Sequence, residues 1–269
     1  MNIYETDQLL GEYLLFHYGT AAEIAPPPGG AAALDYAVRC VTECVDGAAL
    51  PAGARALDLG CAVGRSTLEL ARFCQEAIGI DYSRRFVEAA EVIRCEGALA
   101  YARRDEGALT TSLVARIPPG VAGARAAFEV GDAMALRTDL GAFDVVLMAN
   151  LIDRLREPQR CLERLPELVK PGGQLVITSP STWLEAFTPR ENWLGGFERE
   201  GTRVATLDGL RSALGADFDL VATKDLPFLI REHARKFQLS VAQASLWRRK
   251  EQGRPRPQSN SRGGGAPIP

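Results

Sequence analysis

Residues 57–65 read LDLGCAVGR, and this stretch decides the fold. RALDLG (55–60) is a short apolar run of strand length, and a glycine turn follows it. Gly60 and Gly64 let the backbone turn sharply and come close to a ligand. The dinucleotide-binding pattern G-x-G-x-x-G fails at two of its three glycines, because Ala62 and Arg65 stand there. What remains is an acid, Asp58, ahead of a D-x-G-x-x-x-G turn between a strand and a helix.

Outward from that turn, strands and helices alternate. RSTLELARFC (65–74) reads as a helix, EAIGID (76–81) as a strand, and SRRFVEAAEVIRCEGAL (83–99) as a helix. Strands follow at 125–132 and 143–150, then a helix at 158–169 interrupted at Pro166. PGG (171–173) breaks that helix, and QLVITSP (174–180) is the next strand. TLDGLRSAL (206–214) is a helix, and 218–232 pairs with 236–249 as a hairpin across HAR (233–235). Two connections, 101–124 and 181–200, exceed ordinary length and read as insertions. Ahead of the turn lie helices over 7–19 and 32–45 and a loop at PPPGG (26–30). Together these predict an α/β, doubly wound, mostly parallel seven-stranded sheet with a C-terminal antiparallel hairpin. Residues 1–48 form an N-terminal helical cap, 49–250 the main domain and 251–269 a disordered Pro/Gly/Ser/Arg-rich tail.

Composition narrows the function. A net charge of −3 is a poor start for nucleic-acid binding. No apolar stretch reaches membrane-spanning length, and the N-terminus, with two acids and no basic region, does not read as a signal peptide. The six cysteines form no CxxC pair and read as buried, reduced thiols of a cytoplasmic protein. His17 and His233 are far apart, so no metal site is expected.

Ligands of such sheets bind beyond the carboxyl ends of the strands. The turn with Asp58 in front resembles motif I of class I S-adenosylmethionine-dependent methyltransferases. That resemblance implies S-adenosyl-L-methionine as cofactor, S-adenosyl-L-homocysteine as product and no metal. Asp58 would help meet the cofactor's ammonium group, with Gly60, Cys61, Ala62 and Gly64 forming the turn around it. Asp81 closes the second strand and would accept both ribose hydroxyls, with Tyr82 beside it. Asp132 in GDA (131–133) resembles the acid that meets the adenine amino group, with Ala133 beside it. Asn150 ends the next strand, near the transferred methyl. The plain alternative is that each acid caps the following helix.

The flanks are more specific. YETDQLLGEYLLFHYG (4–19), NLIDRL (150–155) and SPSTWLEAFTPRENWLGG (179–196) are similar to the C-terminal methyltransferase domain of ovothiol-synthesis enzymes. The resemblance implies N-methylation of the side-chain imidazole of 5-thiohistidine to give ovothiol A. In many relatives this domain follows an iron-dependent sulfoxide synthase, which this chain lacks. The thiohistidine is therefore expected from a separate synthase and lyase, with no nucleic-acid or membrane partner.

That chemistry assigns candidate roles. Asn150 both donates and accepts; Asp153 would accept a ring N–H or take a proton; Arg154 would pair with a carboxylate, or only with Asp153. On the cap, His17 is a candidate base, and Tyr4, Glu5 and Tyr18 candidate substrate contacts, while Tyr13 and Phe16 read equally as packing residues. In the second insertion, Arg190 is favoured for the substrate carboxylate and Glu191 for its ammonium, unless the two only pair with each other. Trp183 and Trp193 either line the pocket or pin the loop. Competing readings are a methyltransferase for another small amino acid or amine, a catalytically silent cofactor-binding module, and a nicotinamide oxidoreductase.

Overall fold

The computed structural model describes residues 3–251; the tail expected at 251–269 lies outside them except for its first residue. Seven strands form one sheet in the order β10-β11-β7-β6-β1-β2-β5. These are β1 (Arg55–Leu59), β2 (Glu76–Asp81), β5 (Ala126–Val130), β6 (Phe143–Ala149), β7 (Val169–Ser179), β10 (Phe218–His233) and β11 (Lys236–Arg249). All neighbours from β5 to β7 pair in parallel, and β11 runs antiparallel to both β7 and β10. The direction of winding reverses between β1 and β6, which places the ligand crevice beyond Leu59 and Ala149.

Side-chain alternation sends Val145 and Leu147 of β6 to one face and Val146 and Met148 to the other, all fully buried. The first face packs against α1 (Asp7–Tyr18), α3 (Tyr36–Thr42), α4 (Arg65–Leu70) and α5 (Arg84–Glu96). The second packs against α6 (Pro158–Leu168) and α7 (Thr206–Leu214). The short α2 (Ala21–Ile24) completes the cap. No described helix is long and apolar enough to cross a membrane.

Several local expectations are corrected. The helix expected at 32–45 covers only α3, because Asp35 takes a left-handed φ of 55° just before it. The helix from 65 ends at Leu70, and Ala71–Cys74 form tight turns. The helix from Ser83 stops at Glu96, where Gly97 caps it with φ 83°. The chain then turns directly into β3 (Ala98–Glu106) and β4 (Leu109–Arg116), so the first insertion is a β-hairpin turning at Gly107. Pro166 does not interrupt α6; it sits in the last turn, and Pro158 opens the helix. Nor does PGG break the chain: residues 171–173 lie within β7, at an irregularity in its pairing with β6. The second insertion contains the small hairpin β8 (Phe197–Arg199) and β9 (Thr202–Val204).

Candidate active site

The turn after β1 holds three left-handed residues, Gly60 (φ 73°), Ala62 (φ 47°) and Gly64 (φ 83°). A Cβ on Gly64 would lie 2.5 Å from the Phe128 ring and 2.9 Å from Ala90, so β5 and α5 demand glycine there. The amides of Gly60 and Cys61 donate to the Ile80 carbonyl at 2.8 and 3.2 Å, which stitches the turn to the end of β2. Asp81 completes the stitch. Its Oδ2 accepts from Ala62 N and its Oδ1 from Ser83 N, both at 2.8 Å. Burial raises its pKa against these two donors.

Asp58 is fully buried. Its Oδ2 accepts from the Thr67 hydroxyl at 2.7 Å, while Oδ1 finds no partner among the described residues. Burial pushes its pKa up to about 6, partly opposed by Thr67 and Ser66. The folded chain therefore holds a proton that the unfolded chain has already released at that pH. The stability this gives is fully present below about pH 4 and is lost as pH rises through 6. Asp58→Asn is thus expected to raise the melting temperature of the unliganded protein markedly at pH 8 and much less at pH 4.5. The same change should weaken binding of an ammonium-bearing ligand at pH 8, and calorimetry at the two pH values checks both signs.

The other predicted cofactor positions lie on the same edge. Asp132 is half-buried and accepts from Met134 N at 2.8 Å, while Gly131 N donates to the Asp81 carbonyl at 2.9 Å. Ala133 is buried, and Tyr82 is 68% exposed.

Across the crevice, Asn150 has a left-handed φ of 52°. Its amide N–H donates to the carbonyl and hydroxyl oxygens of Thr178 at 2.9 and 3.1 Å. Its side-chain Oδ1 accepts from the Tyr36 hydroxyl at 2.7 Å and from the Thr178 hydroxyl at 3.2 Å. Asp153 follows in a single 3-10 turn, Ile152–Arg154, and is fully buried. Its Oδ2 accepts from Thr182 N at 2.9 Å and from Arg154 at 3.1 Å; its Oδ1 has no partner among the described residues. Burial raises the Asp153 pKa, and the Arg154 charge opposes this. The same Arg154 nitrogen reaches the carbonyls of Asp153 and Thr182 at 3.0 Å, and the guanidinium lies over the Phe187 ring.

The cap folds onto this crevice. The Tyr4 hydroxyl is hydrogen-bonded to Arg154 and feels the charges of Asp81 and Asp153, while burial raises its pKa. The Tyr4 carbonyl accepts from the Ser83 hydroxyl at 3.1 Å. Glu5 accepts from Arg84 N at 3.0 Å and so caps α5, and Asp7 pairs with Arg85. The Tyr18 hydroxyl donates to the Val63 carbonyl at 2.8 Å, tying the end of α1 to the glycine turn. Tyr13 stacks on His17 at 5.9 Å and packs on Phe86 at 4.7 Å. Burial, with Arg65 nearby, lowers the His17 pKa to about 3, so its ring is a poor proton acceptor at neutral pH. Its buried Nδ1 has no partner among the described residues.

The second insertion is organised internally. The Trp183 indole donates to the Thr206 hydroxyl and the Trp193 indole to the Thr188 carbonyl, each at 2.8 Å. The two rings stack at 6.3 Å, and Arg190 lies over Trp193. Arg190 and Glu191 are both exposed, and no ion pair joins them.

The structure thus gathers Asp58, Gly60, Cys61, Ala62, Gly64, Asp81, Asn150, Asp153, Arg154, Tyr4 and Tyr18 along one crevice. Glu5 is spent on α5, and the second insertion directs its Trp183 and Trp193 indoles and its Arg190 guanidinium to its own residues and Thr206. Tyr36, Thr178 and Thr67 belong to it and escaped the sequence. Tyr36 lies on a helix, and Thr178 sits one residue inside its strand's end rather than beyond it. A buried acid with a free oxygen, a left-handed turn and acids at three strand ends suit a ligand with an ammonium, a ribose diol and an adenine. Among the described residues no group of three or more His, Cys, Asp or Glu could hold a metal ion. A separate cavity of about 220 Å³ lies between α1, β3 and β10, lined by Gly11, Glu12 and Leu15 on the face of α1 opposite Tyr13 and His17.

A family described as a methyltransferase domain matches residues 36–223. Ubiquinone biosynthesis O-methyltransferase of Cupriavidus pinatubonensis is 24% identical over 143 residues, 53% of this chain and 48% of that protein. Norajmaline N-methyltransferase of Rauvolfia serpentina is 27% identical over 176 residues, 64% of this chain and 52% of that protein. The chain therefore spans about half the length of the curated relatives it matches. Among solved structures, the 4+2 cyclase SpnF superposes with a TM-score of 0.53 at 21% identity, covering 91% of this chain and 96% of that one. A methyltransferase of Methanosarcina mazei superposes at 0.50 with 18% identity, covering 76% and 95%. At such identity these two share the fold alone.

Proposed function

Because the chain belongs to the methyltransferase domain family and uses S-adenosylmethionine, we propose that it N-methylates the side-chain imidazole of 5-thiohistidine, giving ovothiol A. One observation carries the reading. At the end of β6, a buried carboxylate oxygen with no partner, Asp153 Oδ1, stands three residues from an amide whose oxygen is already held. An acceptor and a donor so placed suit a small aromatic heterocycle carrying one ring N–H and an acceptor substituent beside the ring nitrogens. The resemblance of NLIDRL and both flanking stretches to thiohistidine methyltransferases supports the same substrate.

When bound, S-adenosylmethionine supplies a sulfonium methyl group to a nucleophile, and the C–S electron pair stays with its sulfur. Asp58, the Gly60–Gly64 turn, Asp81 and Asp132 would hold it. The work of the chain's own residues is positioning and exclusion of water. Asp153 Oδ1 accepts the N–H of the ring nitrogen that is not methylated, which fixes the tautomer and leaves the other nitrogen's lone pair free. After transfer the ring carries one proton too many, and Asp153 takes it; its raised pKa suits that task. Tyr4 meets Arg154 from the cap side, and Arg154 neutralises Asp153 Oδ2.

The test is separate incubation with S-adenosylmethionine and 5-thiohistidine, histidine or histamine. Ring-methylated 5-thiohistidine with stoichiometric S-adenosylhomocysteine is expected. Methylation of an unrelated amine alone would overturn the substrate, and cofactor binding without any turnover would make the chain a silent binding module.

A further inference from the structure

We infer that Tyr36 and Thr178 are positioning residues that fix Asn150 as a hydrogen-bond donor, and that this donor covers the sulfur of the substrate so that the methyl group goes to nitrogen. The inference rests on the thiohistidine reading above. Tyr36 is 3% exposed and Thr178 fully buried. Their hydroxyls lie 2.6 Å apart, and both also reach Asn150 Oδ1. The two hydroxyls have two protons for these three contacts, so one proton closes the bond between them and the other is donated to Oδ1, which leaves the NH₂ end turned away from the pair. The left-handed backbone of Asn150, held by its N–H on Thr178, fixes the side chain at its root. Only the NH₂ end is left to meet a ligand.

A donor beside the reacting centre cannot serve the nitrogen that is methylated, because that nitrogen must keep its lone pair. It serves another acceptor. The sulfur of 5-thiohistidine is an acceptor and a stronger nucleophile than the ring nitrogen. An N–H donated to it engages the electron pair that would attack. Either regiochemistry has the same balance: a substrate lone pair forms the new bond to carbon, the C–S pair of the sulfonium returns to the cofactor's sulfur, and one proton leaves the substrate. Orientation of the donor alone decides which atom is methylated.

The test compares the wild type with Tyr36→Phe, Thr178→Val and Asn150→Asp, measuring N-methyl against S-methyl product by mass spectrometry and NMR, with S-adenosylhomocysteine affinity in parallel. Asn150→Asp keeps an acceptor for both hydroxyls and removes the donor. The wild type is expected to give ring-N-methyl product. All three variants should raise the S-methyl share at least about tenfold, with cofactor affinity within about threefold. A merely structural role would lower both products together and leave their ratio unchanged, and that result in Asn150→Asp and either hydroxyl variant overturns the inference. A loss of cofactor affinity at an unchanged ratio also overturns it, by placing the amide on the cofactor. Failure of the wild type to methylate 5-thiohistidine at either atom instead removes the substrate reading, and the inference falls with it.

Discussion

Asp81→Ala is expected to weaken S-adenosylhomocysteine binding by about 100-fold or more, while turnover at saturating cofactor falls far less. Each Asp81 oxygen accepts one backbone N–H, from Ala62 and from Ser83. A carboxylate oxygen has room for a second donor, so both ribose hydroxyls can still be received. Two hydrogen bonds to a charged acceptor, at roughly 1.5 kcal/mol or more each, amount to about 3 kcal/mol and hence about 100-fold. The substitution also leaves the Ala62 and Ser83 amides without their acceptor and loosens the glycine turn against α5. Asp81→Asn separates the two effects, since it keeps an acceptor for one amide. Calorimetry reads the affinity, and initial rates over a cofactor titration read the turnover. Wild-type affinity in Asp81→Ala would reduce the residue to a cap on α5.

Asp153→Asn is expected to have the opposite profile. Its carboxylate is fully buried and keeps one oxygen unpartnered while the other receives Thr182 and Arg154. An asparagine keeps an acceptor for Thr182 N but can no longer take a proton. General acid–base contributions run to roughly 10²–10⁴-fold, so a fall in kcat of about 100-fold is expected with cofactor affinity unchanged. Full activity in a folded Asp153→Asn protein would leave the residue as the partner of Arg154 and nothing more.

The contrast between these two acids reflects where sequence reasoning reaches. Asp81 and Asn150 were legible because each closes a buried apolar run, and a doubly wound sheet places such ends at its crevice; Asp58 was legible because it stands just ahead of the glycine turn. The strand over 76–81 and the helix over 206–214 keep their predicted bounds because Gly, Ser and Thr punctuate them cleanly. The first insertion was illegible as a hairpin because LTTSLVAR is amphipathic only against α1, a partner nearly a hundred residues upstream. Tyr36 and Thr178 stand 142 positions apart, and their shared hydrogen bond to Asn150 exists only once the cap closes on the sheet. Conversely, Arg190 and Glu191 had suitable chemistry in a suitably long loop. That loop spends its Trp indoles on Thr206 and Thr188 and carries the two charges outward. His17 was singled out as a base by residue type, and burial is what depresses its basicity.

A structure of the protein with S-adenosylhomocysteine and 5-thiohistidine bound together tests the central claim most directly. The cofactor is expected over the Gly60–Gly64 turn with its ribose on Asp81, and the imidazole between the Asn150 amide and the Asp153 carboxylate. Substrate bound instead in the cavity between α1, β3 and β10, or a cofactor that leaves Asp81 uncontacted, would contradict it.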